Sequence, residues 1–383
     1  MDLIGFGLII PLISLYGKKF GAGALELGLL GASYSLMQFF FAPVWGRLSD
    51  KVGRRPILLM SLAGSTLSYL GFAYAGNFWW LVATRCFAGA FAANISTAQA
   101  FVADVTTPEN RAKGMGMIGA AFGLGFILGP GLAYLTLHFY PGMLQGPGLL
   151  AALICGLNLA LAYFRLPESL TPAIRAKAAQ SPRKNGFKAV AAALTHPRLG
   201  PLYAMFFLLT FCMANMEQTF SVFFEQKFQF GTAGSGEATG KILVWAGILG
   251  AFVQGFLVRR LVKKWGEYRL VLLGLVILAP GALSLGYGSS YQAYFLLVIP
   301  MAFGSGFVTP SLSAMISRSA TAAEQGATLG MSQSLGSLAR AVGPFLALWV
   351  FHINPSLPFV IAGLSALLVL LIALTKGSQY KRF

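Results

Sequence analysis

The chain has 383 residues, of which 56% are hydrophobic and 10% charged, and its mean hydropathy is +0.71. A soluble globular domain is closer to half apolar and a quarter charged, so this composition excludes an ordinary soluble protein. The formal net charge of +17 fits either a nucleic-acid-binding protein or a membrane protein with basic loops, and the position of the basic residues decides between them.

Apolar stretches of about 20 residues recur along the chain, each long enough to cross a bilayer core as a helix. The short alternating segments of a membrane β-barrel do not occur. The sequence therefore predicts an all-α polytopic membrane protein, with twelve transmembrane helices in two pseudo-symmetric six-helix bundles. The predicted spans, numbered 1 to 12, are residues 2–17, 25–46, 56–75, 78–103, 113–136, 147–166, 200–224, 237–258, 268–287, 291–317, 326–351 and 356–375.

The basic residues follow the predicted topology. With the N-terminus inside, 22 of the 28 Lys and Arg residues lie on the inner side, four lie outside and two fall within spans. This bias predicts that both termini are cytoplasmic, and we expect a bacterial inner membrane. Contact with the lipid bilayer is expected, and nucleic acid is not.

Residues 165–199 are basic and rich in Pro, Ser and Gly, and they separate six spans from six. We predict an N-terminal bundle over residues 1–166, a cytoplasmic linker over 167–198 with a surface helix near 187–194, and a C-terminal bundle over 199–383. The halves repeat at an offset near 214, which aligns Gly53 with Gly266, Gly116 with Gly330, and Gly129-Pro130 with Gly343-Pro344. Such repeats build many secondary transporters.

The same repeat concerns the start of the chain. Glu217 lies deep within span 7, which begins near Pro201, whereas Asp2 directly follows Met1. If the halves match, about a dozen further residues are expected ahead of Met1.

The segment GRLSDKVGRRPILL, residues 46–59, concentrates charge between spans 2 and 3. Gly46 allows close helix approach, and Gly53 permits a reversal with positive φ. Membrane anchoring explains the basic residues but not Asp50, which predicts a specific partner, either an arginine or a helix N-terminus.

The pattern Gly-x-Leu-x-Asp-x-x-Gly-Arg-Arg over residues 46–55 resembles the signature of the major facilitator superfamily. The resemblance covers essentially the whole chain. It implies that Asp50, Arg54 and Arg55 form a latch that closes the cytoplasmic side. Asp104 and Arg111, in ADVTTPENRAKG, resemble the family's loop between spans 4 and 5, and we expect Asp104 to pair with these arginines. In the second copy the acid is displaced to Glu267, which predicts a weaker latch there.

Further motifs narrow the resemblance. LVATRCFAGAFAAN (81–94) resembles the span 4 pattern with a buried arginine, Arg85. GAAFGLGFILGPGLA (119–133) resembles the span 5 motif of antiporters. DLIGFGLIIPLI (2–13) and ANMEQTF (214–220) resemble segments of the twelve-span tetracycline/multidrug:proton antiporters. The residues of the antiporter motif are Gly119, Gly123, Gly129 and Pro130.

Of the eleven acids, nine fall in or beside predicted loops, and two, Asp2 and Glu217, do not. An ionisable group within a bilayer is costly, so each is a candidate for carrying protons. Arg85 is a candidate proton-coupling partner or substrate contact. Arg340 lies at about the depth of Glu217, and depth alone predicts that the two pair; a structural ion pair is the alternative role for Glu217.

Polar and aromatic residues within other spans are candidates for lining a substrate cavity: Gln38, Asn94, Gln218, Phe220, Gln254 and Gln333. The three cysteines and three histidines show no metal-ligand spacing, so no metal and no cofactor are expected.

The sequence thus favours a monomeric secondary transporter that exports small amphipathic or drug-like molecules in exchange for protons. A lipid or lysolipid transporter or an uncoupled facilitator of the same fold is the alternative. A non-transporting membrane sensor lacks an evident output domain, no catalytic cluster indicates an enzyme, and no P-loop indicates ATP use.

Overall fold

The computed structural model describes residues 1–22, 24–107, 110–139, 145–172, 193–321 and 324–380. The regular structure in these ranges is helical, and no strand occurs within them. Spans 1 to 6 are helices Asp2–Lys19, Ala24–Val52, Arg54–Ala73, Phe78–Phe91 with Ile95–Val105, Arg111–Phe139 and Gln145–Arg165. Spans 7 to 12 are formed by helices Leu199–Phe228, Gly231–Phe252, Val258–Ser284, Ala293–Arg318, Gln325–Phe351 and Leu357–Thr375. Helix Val258–Ser284 is divided by a kink at Gly266, so it holds the end of span 8 as well as span 9.

Two irregular turns interrupt these helices. A 3-10 turn, Ala92–Asn94, divides span 4 into its two helices. A π-helical segment, Val253–Leu257, lies within span 8, whose helix continues as far as the turn at Gly266. Most of the predicted linker, including most of its predicted surface helix, lies outside the described residues.

Eight helical segments of the described chain are long and apolar enough to cross a membrane. One of them, Ala238–Tyr287, is 50 residues long and contains spans 8 and 9. Spans 1, 2 and 5 are helical over 18, 29 and 29 residues, close to or above the length that a bilayer core requires. Large apolar side chains cover the outside, among them Trp79, Leu296 and Phe164, which are 70%, 70% and 80% exposed. In water such a surface would drive aggregation, whereas lipid tails solvate it.

Contacts divide the chain into two compact units. Unit 1 comprises Met1–Thr106, Leu124–Arg183 and Ala320–Ser337, and unit 2 comprises Thr107–Gly123, Lys184–Ser319 and Leu338–Phe383. Each unit therefore includes the first part of the fifth span from the other half of the chain. These parts end at Gly123 and Ser337, two positions that the offset of the sequence repeat aligns. The division thus follows the repeat, while the domain boundary at 167–198 remains a prediction.

Each unit has its own core. In unit 1, spans 1 to 6 contribute a buried cluster that includes Leu8, Leu12, Tyr69 and Cys155. In unit 2, the rings of Phe220 and Phe223 pack on Phe359 with centroids 5.6 and 4.9 Å apart. Aromatic pairs at such separations add stabilisation beyond their burial.

The turns after spans 2 and 8 depend on glycine. Gly53 has φ 120° and ψ 159°, and Gly266 has φ 76° and ψ 166°. Only glycine adopts this region without strain. The positive φ predicted for Gly53 is therefore confirmed, and the aligned Gly266 shares it.

We predict that Gly53→Ala and Gly266→Ala each destabilise the protein by about 1–3 kcal/mol, since a Cβ is strained at both positions. The measurement is the thermal unfolding midpoint of the purified protein. Gly240→Ala is the matched control, because its Cβ would meet no atom within 4 Å on helix Gly231–Phe252. Midpoints for the two turn variants that equal the control's would contradict the prediction.

Candidate functional site

The turn between spans 2 and 3 is built around a fully buried arginine. Arg54 is 0% exposed, and its Nη1 donates to Asp50 Oδ1 at 2.6 Å and to Ser49 Oγ at 2.7 Å. Its Nε donates to Asp104 Oδ2 at 3.0 Å. A buried guanidinium needs such counter-charges because it has lost its hydration. Ser49, Asp50, Arg54 and Asp104 are called the Arg54 cluster here, and the expected pairing of Asp104 is present.

Asp50 also binds the start of span 11. Its Oδ1 accepts a hydrogen bond from the Gly326 N–H at 2.8 Å, and its Oδ2 accepts one from the Ala327 N–H at 2.7 Å. These are first-turn donors of helix Gln325–Phe351, which have no partner inside the helix. A carboxylate there also interacts favourably with the helix dipole. Asp50 therefore has both partners that its sequence context left open, an arginine and a helix N-terminus.

The charge of Asp50 depends on these partners. Burial raises the pKa of the Asp50 carboxyl above its usual range, while the Arg54 guanidinium and the N–H groups of Gly326 and Ala327 act to lower it. Removing Arg54 would leave burial opposed by the two N–H groups alone. The arginine thus favours the charged form that best caps span 11.

Glycines bring spans 2 and 11 together at this point. A Cβ at Gly46 would overlap the carbonyl of Gly326, and a Cβ at Gly326 would overlap the carbonyl of Gly46. A Cβ at Gly330 would lie 2.6 Å from the Ala42 carbonyl oxygen. The close approach predicted for Gly46 is therefore present.

The chain after span 6 adds two residues that sequence reasoning missed. Glu168 accepts hydrogen bonds from the N–H groups of Arg54 and Arg55, at 2.9 and 3.2 Å, and so caps the first turn of span 3. Ser169 Oγ donates to Asp104 Oδ2 at 2.9 Å. A carboxylate and a hydroxyl directly after a span were the available signal, but their partners belong to distant parts of the sequence.

The two other basic residues predicted for the latch have positions of their own. Arg55 donates from Nη2 to the Tyr163 carbonyl at 2.7 Å, and its guanidinium lies 5.5 Å from the centre of the Tyr163 ring. Arg111 is half-buried and begins helix Arg111–Phe139.

Asp2 lies in a polar site of unit 1. Its Oδ2 accepts a hydrogen bond from Asn94 Nδ2 at 3.3 Å, and its Oδ1 accepts one from Cys155 Sγ at 3.4 Å. Within the described residues Asp2 makes no ion pair. Asn94, predicted to line a cavity, is therefore a partner of the acid in span 1.

Arg85 is a buried cation without a carboxylate partner in the described part of the chain. It is 5% exposed, its guanidinium lies 4.5 Å from the centre of the Tyr34 ring, and its Nε has no hydrogen-bond partner. Its electrostatic neighbours Tyr34, Tyr69 and Cys86 bear no formal charge in their protonated forms. Tyr69 also neighbours Asp2. Arg85 and Asp2 thus share a neighbour but form no direct pair.

Two acceptor amides connect spans 2 and 4 with span 11. Ser337 Oγ donates to Gln38 Oε1 at 2.7 Å, and Gln333 Nε2 donates to Gln99 Oε1 at 3.3 Å. Gln38 Nε2 donates to the Ala92 carbonyl at 3.3 Å. All of these residues belong to unit 1. Gln38 and Gln333, predicted for the cavity, are therefore engaged in contacts between helices.

Other predicted site residues fall elsewhere. Glu217 and Gln218 lie on helix Leu199–Phe228 and Pro130 on helix Arg111–Phe139, but their side chains are outside the described part of the structure. The Glu217–Arg340 pair therefore stays a prediction, with Arg340 half-buried. Phe220 is 0% exposed within the aromatic core of unit 2.

The glycines of the antiporter motif allow close approach at two different helix contacts. A Cβ at Gly119 would overlap the side-chain amide of Gln254, and one at Gly123 would lie 3.0 Å from the Gly247 carbonyl oxygen. Further along the same helix, a Cβ at Gly129 would overlap the backbone of Gly7. Small residues at helix contacts are typical of membrane helices.

Metal-binding groups are sparse. Among the residues that the structure describes, no three His, Cys, Asp or Glu side chains are grouped to hold a metal ion. Cys86, Cys155 and Cys212 are free thiols on helices.

The chain resembles known transporters along nearly its whole length. It is 34% identical over 398 residues to the Major facilitator superfamily domain-containing protein 10 of Bos taurus, covering 91% of this chain and 84% of the relative. It is 32% identical over 389 residues to the class C Tetracycline resistance protein of Escherichia coli, covering 99% of this chain and 94% of the relative.

Solved structures show the same fold. The human organic anion transporter MFSD10 superposes with a TM-score of 0.79 at 28% identity, over 97% of this chain and 96% of that one. The proton:xylose symporter XylE superposes with a TM-score of 0.73 at 18% identity, over 97% and 92%, which shows the fold alone. The predicted all-α, twelve-helix, multi-pass membrane fold is thereby confirmed.

The family model described as Major Facilitator Superfamily matches residues 1–290 and 255–380. Together with the two relatives described above and the shared architecture of spans, this match shows that the chain belongs to the major facilitator superfamily of membrane transporters.

Proposed function

We propose that the protein is a monomeric secondary active transporter of a bacterial inner membrane, with both termini cytoplasmic. It exports small amphipathic or drug-like molecules by alternating access in exchange for protons. The observation that carries the proposal is the Asp50 carboxylate, which caps a helix 276 residues further along the chain. Resemblance to tetracycline resistance proteins supports export of drug-like substrates.

The Arg54 cluster acts as the cytoplasmic latch. Arg54 holds the Asp50 carboxylate, and Ser49 accepts a hydrogen bond from the same Arg54 nitrogen, so that both oxygens of Asp50 reach the start of span 11. Charge-assisted hydrogen bonds of this kind are worth about 1.5–3 kcal/mol each, enough to bias a conformational equilibrium without making it irreversible. The contact forms when the cytoplasmic side closes and breaks when it opens, and Gly46 and Gly326 let the helices meet closely enough for it.

Asp2 and Glu217 are the proposed proton carriers. Asp2 contacts the neutral groups of Asn94 and Cys155 and forms no ion pair within the described residues. Glu217 lies on span 7 with Arg340 as its proposed partner. An acid on each side of the repeat gives the two halves matching sites at which a proton exchanges.

The setting of Arg85 favours acidic substrates. A buried guanidinium without a counter-ion is costly, and a substrate carboxylate or enolate would supply the missing charge. The Tyr34 ring lies against the guanidinium and stabilises the cation without neutralising its charge. The human organic anion transporter MFSD10 offers a precedent for such cargo among the matched structures.

Lipid or lysolipid transport and uncoupled facilitation remain the alternatives within this fold, and a sensor without net transport is the third. Flux of tetracyclines, organic anions and lysolipids in proteoliposomes, with and without a pH gradient, separates them. Proton-driven accumulation of a small amphipathic substrate supports the proposal, whereas lysolipid flux without it favours the alternative.

We predict that Asp50→Asn lowers turnover by about tenfold or more, because the amide loses one acceptor and its charge-assisted bonds. Turnover is measured in proteoliposomes at equal protein incorporation. Glu26→Gln, the same chemical change at an exposed residue of the same helix, is the control. Near wild-type turnover for Asp50→Asn would remove the latch role.

We predict that Glu217→Gln abolishes uphill, proton-driven accumulation but retains exchange of substrate down its own gradient. The amide mimics the protonated carboxyl, so no charge changes at this site during the cycle. Glu225→Gln, further along the same helix, is the matched control. If Glu217→Gln still concentrates substrate against a gradient, coupling resides elsewhere, and Asp2 becomes the next candidate.

We predict that Arg85→Gln weakens the binding of an acidic substrate by about tenfold or more, while Arg85→Lys loses less because the positive charge remains. Binding is compared for an acidic compound and its neutral ester. Equal losses for acid and ester would show that Arg85 does not contact the substrate's charge.

A further inference from the structure

The second half of the chain contains a buried ion pair that the proposed function does not use. Arg318 Nη1 lies 2.9 Å from both Oε1 and Oε2 of Glu267. The side chain of Glu267 is 2% exposed and that of Arg318 is 22% exposed. Glu267 follows Gly266 directly, and Arg318 is the last residue of helix Ala293–Arg318.

The first half has the same arrangement with the charges exchanged. Arg54 follows Gly53 directly, and its partner Asp104 lies near the end of helix Ile95–Val105. Arg54 aligns with Glu267 at an offset of 213, which also aligns Gly53 with Gly266. Asp104 aligns with Arg318 at an offset of 214, which also aligns Gly116 with Gly330. The two pairs therefore occupy equivalent positions of the repeat.

The exchange extends to the residue that caps span 11. Asp50 aligns with Lys263 at the offset of 213, and Lys263 is exposed. Gly326 and Ala327, whose N–H groups bind Asp50, align with Ala112 and Lys113 at the start of span 5. Asp50, Arg54 and Asp104, the first set, together carry one net negative charge. Their counterparts Lys263, Glu267 and Arg318, the second set, together carry one net positive charge.

This polarity decides what each set can bind. The N-terminus of a helix presents free N–H donors and a partial positive charge, so it attracts a carboxylate and repels an ammonium group. Lysine has no acceptor atom on its side chain. The second set therefore lacks the chemistry that lets Asp50 cap a helix.

We propose that Glu267 and Arg318 are positioning residues for transport. They form a charge-exchanged copy of the Arg54–Asp104 pair, and this copy, called the brace, holds the start of span 9 against the end of span 10. The latch is left to the first half of the chain. This inference rests on the latch role proposed for Asp50. Two caps of equal strength would favour the closed state by a further factor of about 10 to 100 and so slow its opening. Reversed polarity keeps the brace and omits the second cap.

The first arm of the test measures the brace without any transport assay. Arg318→Asp places two carboxylates together and is expected to lower the thermal midpoint. The double variant Glu267→Arg/Arg318→Asp recreates the polarity of the first half and is expected to restore it. In the first half the matching exchange, Arg54→Asp/Asp104→Arg, is expected to fail, because Asp50 then faces an acid. If the second-half exchange is no more stable than Arg318→Asp, the equivalence of the two pairs is wrong.

The second arm adds a cap. Lys263→Asp is combined with the double exchange, and the double exchange itself is the control. The triple variant is expected to turn over about tenfold more slowly than the double at saturating substrate with the affinity for substrate retained, because a second acid now binds a helix N-terminus. Equal turnover in the two variants would overturn the inference. The first arm measures thermal stability and needs no substrate. Its result can therefore be interpreted even if the proposed transport function is wrong.

Discussion

A guanidinium buried as completely as that of Arg54 is stable only among counter-charges, and the residues around the turn between spans 2 and 3 supply them. Asp50 and Ser49 accept hydrogen bonds from its Nη1 and Asp104 accepts one from its Nε, while Glu168 accepts one from the backbone N–H of the same residue. The carboxylate of Asp50 then has oxygen lone pairs left for span 11. One cation thereby organises spans 2, 3, 4 and 11 together with the chain that leaves span 6.

Close helix contacts are the second constraint, because apolar side chains gain little by leaving lipid for another apolar surface. Association then depends on how near two backbones can come. Gly7 against Gly129, Gly46 against Gly326, and Gly89 against Tyr34 are contacts where a single Cβ would overlap a backbone atom. At these positions glycine meets a requirement of packing rather than of flexibility.

The spans and the positive φ of Gly53 were predictable because hydropathy and turn chemistry act over short stretches of chain. Asp50 could be recognised as unusual from its own neighbourhood, but its choice of span 11 could not, since the partner N–H groups carry no side-chain signature. Asp104 required a family resemblance, and Glu168 and Ser169 escaped because their partners are distant in sequence. Phe220 was predicted for the cavity from its proximity to Glu217, but its ring packs against Tyr294 and Phe359 in the core of unit 2. Aromatic partners that come from distant parts of the chain cannot be recognised from the sequence around Phe220.

The π-helical segment Val253–Leu257 accommodates a difference of one residue between the two halves of the repeat. The carbonyls that contact the aligned glycines Gly330 and Gly116 belong to Ala42 and Gln254. From Gln254 to Gly266 the second half has one residue more than the first half has from Ala42 to Gly53, and the wider turn is found in this stretch. Inserted into an α-helix, one residue would rotate every later side chain by about 100°. The π turn absorbs this residue locally, so that Gly266 and the ion pair beyond it keep the register that Gly53 and its ion pair have in the first half.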